Sequence, residues 1–303
     1  MADGERCWIV GVDGSPYAAR AARWARGNAG PDVAEIRLVT AWSIPPLAFC
    51  SPMAGMHPDL GRRLRASAQE VVERAANEIG AADGIRLVTD VVRGRSSQAL
   101  LTTAEGADLL VVGSRGQTGF QAFTLGSTAA RVAAHAPCPV AVVPATAPLD
   151  PPQRIVVALA GSRHSVAALD HAVDLAGAHS GPGVHLVLVT VDDGDAGFGE
   201  PYDHLPLEDA QRSLVEATVQ RRRPEGGDRI EIETRVATGS ARQVLLDEAG
   251  DSDLLVVGRR GRGLAGSLRL GSVSHWLLAH SPVTVLTVPW TFDPGSSETD
   301  ERT

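Results

Sequence analysis

Apolar residues gather in short blocks along this chain, and the segments between the blocks alternate in character. "CWIVGVD" is followed by "GSPYAARAARWARGNAG", where alanine and tryptophan recur every three or four positions between arginines. A short uninterrupted apolar run predicts a strand covered on both faces, and recurrence at three to four residues predicts a helix with one buried stripe. Ser15 and Pro16 mark the start of that helix as N-cap and first helical residue. The same alternation continues with "AEIRLVTAW" as a strand, a helix from about Asp59 to Ile79, "IRLVTDVV" as a strand and a helix around "SQALLTTAEG". "DLLVV" as a strand, a helix from Ser127 and "VAVVP" as a strand complete the series. Alternating strands and helices with nearly continuous apolar strands predict a parallel sheet with helices on both faces, joined by right-handed crossovers.

The pattern is written twice. "LLVVGSRGQTGFQAFTLGST" at 109–128 returns as "LLVVGRRGRGLAGSLRLGSV" at 254–273, and with that offset 107–144 aligns without a gap to 252–289. The fold expected is therefore α/β, two tandem copies of a five-stranded open parallel-sheet sandwich. The first copy runs over 1–144 and the second over 154–289. The proline-rich 145–153 reads as a linker, and the polar, acidic 290–303 as a disordered tail. A length of 303 residues suits two such units.

Composition narrows the chemistry. A net charge of −8 argues against sequence-independent binding to nucleic acid or to an anionic membrane surface. No apolar run reaches the roughly 18 to 20 residues of a spanning helix, and "MADGERCWIV" lacks the pattern of a secretory leader, which predicts a cytoplasmic protein. Cys7, Cys50 and Cys138 show no metal-binding or disulfide spacing, and Cys138 reads as a core residue of an apolar strand. All 28 basic residues are arginine, so a lysine of a Walker loop or of a Schiff base is excluded, while arginine still offers bidentate phosphate contacts.

Both copies carry glycines in the spacing G-x2-G-x9-G-S directly behind a strand: Gly113, Gly116, Gly126 and Ser127, then Gly258, Gly261, Gly271 and Ser272. Ligands of open parallel sheets settle at the carboxyl ends of the strands, where this loop opens. Glycine admits positive φ and lets backbone N–H groups face an anion, and a helix opening at Gly-Ser adds the positive end of its dipole. A phosphate is the natural guest. The two serines either cap their helices or donate to that phosphate. Asp13, at the end of the first strand, either accepts from a ribose hydroxyl, holds a magnesium water, or stabilises its own turn; the second copy has Ala160 there. Arg259, Arg260, Arg262 and Arg269 are candidates to compensate for the missing carboxylate. His135 and His280 sit where a helix C-terminal cap is expected, and Asp192, Asp193 and Asp195 read as a solvated loop rather than a metal site.

Strand-Asp-Gly-Ser, the glycine motif and the closing "CPVAVVP" together resemble the universal stress protein family in its tandem form, over about 8–144 and 154–289. The resemblance implies a Rossmann-like fold of the adenine-nucleotide alpha hydrolase type that binds ATP, with or without magnesium. It also implies a fifth strand that pairs across a two-fold or pseudo-two-fold interface, leaving an intramolecular pseudo-dimer and a further homodimer both open. By position it puts Gly11 and Asp13 beside the nucleoside and Ala41 against adenine. Gly113, Ser114, Arg115, Gly116, Gln117, Thr118 and Gly119, with Gly126 and Ser127, would surround the phosphates. The second copy offers Ala158, Val191, Gly258, Arg259, Arg260, Gly261, Arg262, Gly263, Leu264, Gly271, Ser272 and Val273. The function expected is a nucleotide-dependent regulator of a stress response. Alternatives are a slow ATPase or nucleotidyl-transfer enzyme, for which no base or nucleophile is evident, and a dimerisation scaffold without nucleotide.

Overall fold

The computed structural model describes residues 6–44, 59–80, 84–117, 125–178, 183–192, 230–261 and 269–290. The first half runs β1 (Arg6–Gly11), α1 (Pro16–Asn28), β2 (Val33–Trp42), α2 (Leu60–Ile79), β3 (Arg86–Arg93), α3 (Ser96–Thr103), β4 (Leu109–Gly113), α4 (Ser127–His135) and β5 (Val140–Val143). The second half runs β6 (Arg154–Ala158), α5 (Arg163–Ala178), β7 (Val184–Asp192), β8 (Ile230–Thr238), α6 (Ala241–Gly250), β9 (Leu254–Gly258), α7 (Ser272–His280) and β10 (Thr284–Val288). The α/β class and the repeated unit stand as read from the pattern.

The ten strands form one sheet, in the order β3-β2-β1-β4-β5-β10-β9-β6-β7-β8. Every pairing is parallel except β5 with β10, where Val142 faces Val285, Ala141 faces Leu286 and Val140 faces Thr287. Strands buried on both faces read as unbroken apolar runs: all four apolar residues of β4 and all of β9 are buried. The edge strand β8 instead has no buried residue, only half-buried and exposed ones, with Glu231, Glu233 and Arg235 along it, as a charged edge strand should.

Two cores cover the sheet, one per face, and each runs through both halves. One joins Trp8, Trp24 and Val72 to Leu169, Val173 and Leu254, packed by α1, α2 and α5. The other joins Leu100, Val132 and Val140 to Leu245, Leu277 and Val285, packed by α3, α4, α6 and α7. In α1 the buried positions 18, 21, 22, 25 and 28 form the stripe its alanines predict, and Ser15 caps it by accepting from Ala18 N at 3.1 Å. Trp24 in that helix stacks on Trp8 of β1 at 6.4 Å.

The segment read as a linker is tied to α1. Asn28 Nδ2 donates to Leu149 O at 3.0 Å, Arg20 donates to Ala147 O, and Ala147 is buried. Cys138 is buried, as expected of a core residue, but lies in the turn before β5 rather than in the strand. Burial pushes its thiol up to about 12. The residues 291–303 expected as a tail, together with Cys50, Asp193 and Asp195, lie outside the described residues.

Candidate functional site

Between β1 and β4 the connections leave in opposite directions, and a cleft opens there at the carboxyl ends of the strands, as the sheet order requires. It encloses about 710 Å³, in the range of sites for drug-sized ligands. Its walls are the turn after β1 (Gly11, Val12, Asp13), the end of β2 (Val39 to Ser43), the face of α2 (Leu64, Ala68, Val71), the loop after β4 and the first turn of α4.

The loop after β4 is closed by backbone bonds. Ser114 N donates to Val143 O at 2.9 Å, and Gly126 N donates to Ser114 O at 2.8 Å, which brings the start of α4 back over the end of β4. The second half repeats both bonds, Arg259 N to Val288 O at 2.8 Å and Gly271 N to Arg259 O at 2.9 Å. Gly126 and Gly271 are the helix N-caps, with extended backbones, so Ser127 and Ser272 are the first helical residues and not the caps. Capping therefore does not account for these exposed serines. Ser127, Thr128 and Ala129 form the first turn of α4 and line the cleft, and the N–H groups of a first turn lack partners within their helix.

The motif glycines serve a purpose other than the positive φ expected of them. None of Gly113, Gly116, Gly126, Gly258, Gly261 and Gly271 has positive φ; that conformation belongs to Gly14 (82°) and Gly161 (64°), in the turns behind β1 and β6. Close approach is what the others answer to. A β-carbon on Gly113 would stand 2.7–2.8 Å from backbone and Cβ atoms of Tyr17, and one on Gly258 would stand 2.7–2.9 Å from His164. The crossing of β4 by α1, and of β9 by α5, forbids a side chain there. A β-carbon on Gly116 would meet Asp13 Oδ2 at 2.7 Å, one on Gly126 would lie 3.2 Å from Ser114 O, and at Gly261 the space is open. On Gly11 it would press on the Leu100 side chain.

Of the roles expected of Asp13, its own turn is visible, and a contact to the glycine loop that was not expected joins it. Oδ1 accepts from Ser15 N at 2.9 Å, stabilising the turn into α1, and Oδ2 accepts from Gln117 N at 3.2 Å, holding the glycine loop. Gln117 Nε2 returns the contact to Asp13 O. Each carboxylate oxygen keeps lone-pair capacity for a ligand hydroxyl. In the second half Ala160 makes no such clasp, and Ser162 supplies one: its Oγ donates to Arg260 O at 3.2 Å.

The arginines separate by destination. Arg115 lies over the Tyr17 ring at 5.8 Å, at the rim of the cleft. Arg259, expected to supplement the second phosphate loop, turns away from it, and Nη2 donates to Ala136 O at 2.5 Å and Cys138 O at 3.4 Å in the first half. Burial and the neighbouring Arg260 push its pKa down to about 10. His164, beside the same loop, accepts from Trp290 N at Nδ1 (2.8 Å), and burial with Arg260 and Arg259 lowers its pKa.

Gly11, Asp13, Ala41, Gly113, Arg115, Gly116, Gln117, Gly126 and Ser127 all line the one cleft. Ser114 stays at its root through the backbone bonds above. In the second half Ala158 faces Val189 as Gly11 faces Val39, so Val191 takes the place of Ala41. Ala158, Val191 and Val273 pack on the core beneath that edge. Thr118, Gly119, Arg262, Gly263 and Leu264 lie outside the described residues. Thr40, whose Oγ1 donates to Val12 O at 3.0 Å, and the α2 wall escaped the sequence reading, although Ala68, Val72 and Ala75 do recur at helical spacing. His135 and His280 bond back to the carbonyls of Arg131 and Trp276 in their own last turns, as helix-end residues.

Among the described residues that line the cleft, Asp13 and Arg115 are the only charged ones. The described residues contain no group of three potential metal ligands, and none of their helices is long and apolar enough to cross a membrane. The arrangement can hold a flat apolar group between β2 and α2, a hydroxyl at Asp13 and an anion at α4.

The Universal stress protein family model matches residues 9–144 and again 152–289. The chain is 30% identical over 295 residues to a universal stress protein of Mycolicibacterium smegmatis, covering 92% of this chain and 96% of the relative. It is 31% identical over 293 residues to one of Mycobacterium tuberculosis, covering 91% and 95%. Among solved structures, a universal stress protein from Archaeoglobus fulgidus shares the fold with a TM-score of 0.69 at 21% identity, over 93% of this chain and 96% of its own.

Proposed function

Because the chain belongs to the universal stress protein family, we propose that it is a nucleotide-dependent regulator of a stress response whose first half binds ATP. The cleft at the β1/β4 switch point carries this reading, since it joins an apolar slot, a carboxylate and an open helix start in one 710 Å³ space. Val12, Val39, Ala41 and Ala68 would flank the adenine, Asp13 would accept from a ribose hydroxyl, and Ser127 with the first-turn N–H groups of α4 would take the phosphates. Magnesium would enter with the phosphates, since this ion retains water and binds few protein carboxylates. The second half is the weaker partner in this reading: Ala160 removes the hydroxyl acceptor, and Arg259 is directed elsewhere.

A regulator fits better than an enzyme. Phosphoryl transfer needs a group that positions or deprotonates the attacking oxygen, and the only carboxylate among the described residues lining the cleft already bonds Ser15 N and Gln117 N. Nucleotide occupancy would instead shift the equilibrium between arrangements of the glycine loop and its surroundings. We also read the antiparallel β5–β10 joint as an intramolecular counterpart of a two-fold dimer interface, between units 1–144 and 154–289, in a cytoplasmic protein.

Thermal unfolding of the full chain with and without Mg-ATP tests the binding. At about 100 times its dissociation constant, a nucleotide confined to the native state adds about 2.7 kcal/mol. The expected result is a rise in melting temperature that Gly116→Val abolishes, because the added side chain drives into Asp13 and displaces the loop. No shift, together with no nucleotide in an acid extract of the purified protein, would leave the scaffold as the surviving reading. Phosphate release sensitive to Gly116→Val would establish the enzyme.

A further inference from the structure

Arg259 ties together two helices of different halves. Its carbonyl accepts from Gly271 N at 2.9 Å, fixing the start of α7. Its guanidinium leaves that half and donates to Ala136 O, with a longer contact to Cys138 O. Ala136 is the C-cap of α4, the helix whose opposite end forms the donor wall of the first cleft. In the first half Ser114 makes the matching backbone bond to Gly126 N, but a serine side chain is far too short to return the tie across the joint. The connection is therefore built from the second loop to the first site and not in reverse.

The environment of the guanidinium shows what holds it. Among the described residues no carboxylate pairs with Arg259, its Nε is buried without a partner, and Arg260 stands nearby as a like charge. A half-buried cation without an acid is costly. What offsets that cost is the end of α4, where carbonyls without helical partners concentrate the negative end of the dipole. Removing the cation would free that end of a nine-residue helix, and a shift there is carried along the rod to its first turn.

We propose that Arg259 is a positioning residue for the nucleotide site of the first half: it holds α4 by its C-terminal carbonyls and links the second glycine loop to the first cleft. The proposal rests on the reading of that cleft as a nucleotide site. Coupling of this kind is reciprocal, so a ligand gripped by α4 also steadies the second loop.

The test uses the full chain and Mg-ATP, with calorimetric affinity and hydrogen exchange over 127–135 as readouts. In the wild type Mg-ATP slows exchange in α4. Arg259→Met weakens binding about tenfold, within the usual span of coupling between sites, and reduces that protection. Arg259→Lys, which keeps the cation, recovers most of the affinity, and Arg242→Met, at an exposed arginine of α6, leaves it unchanged. If Arg259→Met melts too low to assay, Arg259→Gln carries the comparison. Wild-type affinity in these variants, at whatever melting temperature, overturns the proposal and leaves the nucleotide reading intact. So does an equal loss in Arg242→Met, which would make the effect one of general charge. Failure of the wild type to bind Mg-ATP overturns both.

Discussion

His164 shows how one residue reads its surroundings. It stands where the first half has Tyr17, its backbone presses on Gly258 as that of Tyr17 presses on Gly113, and its Nδ1 accepts from Trp290 N. Burial and the two arginines lower its pKa, so the folded chain holds it neutral while the unfolded chain takes up a proton near the ordinary value of 6.5. His164 thus contributes stability that is present above that value and is lost as the pH falls through it. Melting temperatures of the wild type and His164→Asn, compared between about pH 7.5 and about pH 5.5, where histidine changes charge, should show a smaller acid loss in the variant. Equal losses would mean that the imidazole is not held neutral by folding. None of this was legible in "GSRHS", because the burial and the nearby arginines come from β9, β10 and their loops. Asp13 was half legible: its place at a strand end was plain, its grip on Gln117 was not.

At the scale of elements, the glycine motif divides into parts with different physical reasons. Gly113 and Gly258 make room for a helix crossing, and Gly116 makes room for the Asp13 carboxylate. Gly113→Ala and Gly258→Ala should each destabilise by about 1–3 kcal/mol, the cost of forcing an atom into packed structure, whereas Gly261→Ala, with open space around it, should be nearly neutral. Denaturant titration of the three variants measures this, and equal effects at all three positions would show that close packing is not what the glycines serve. The recurrence of the spacing was visible in the sequence, and so was the helix that follows. Which glycine faced a helix, a carboxylate or open space was not, since spacing alone carries no direction. The periodic stripe of α1 was legible because burial on one face leaves a regular trace along the chain.

For the whole molecule, the decisive feature is that each core continues across β5 and β10. The halves share both hydrophobic layers, the linker is bound to α1 and Thr146 Oγ1 donates to Pro282 O at 2.5 Å. Neither half can lose its packing without exposing apolar surface of the other. Calorimetric unfolding should therefore appear as one cooperative transition, with calorimetric and van't Hoff enthalpies in agreement. Two separated transitions would show that the halves unfold independently despite the shared layers.

By itself the sequence determined the α/β class, the repeat, the order of elements in the first half and the edge of the sheet at which the cleft opens. Those follow from local periodicity and from chain connectivity, which leave their mark on neighbouring residues. Only the tertiary structure decided that β5 meets β10 in one continuous sheet and that Ser162 stands in for the missing carboxylate as a loop clasp. The same holds for Arg259, which serves the helix of the other half. These are contacts between residues about a hundred or more positions apart, and their partners are chosen by packing and by the need to satisfy buried polar groups rather than by local pattern.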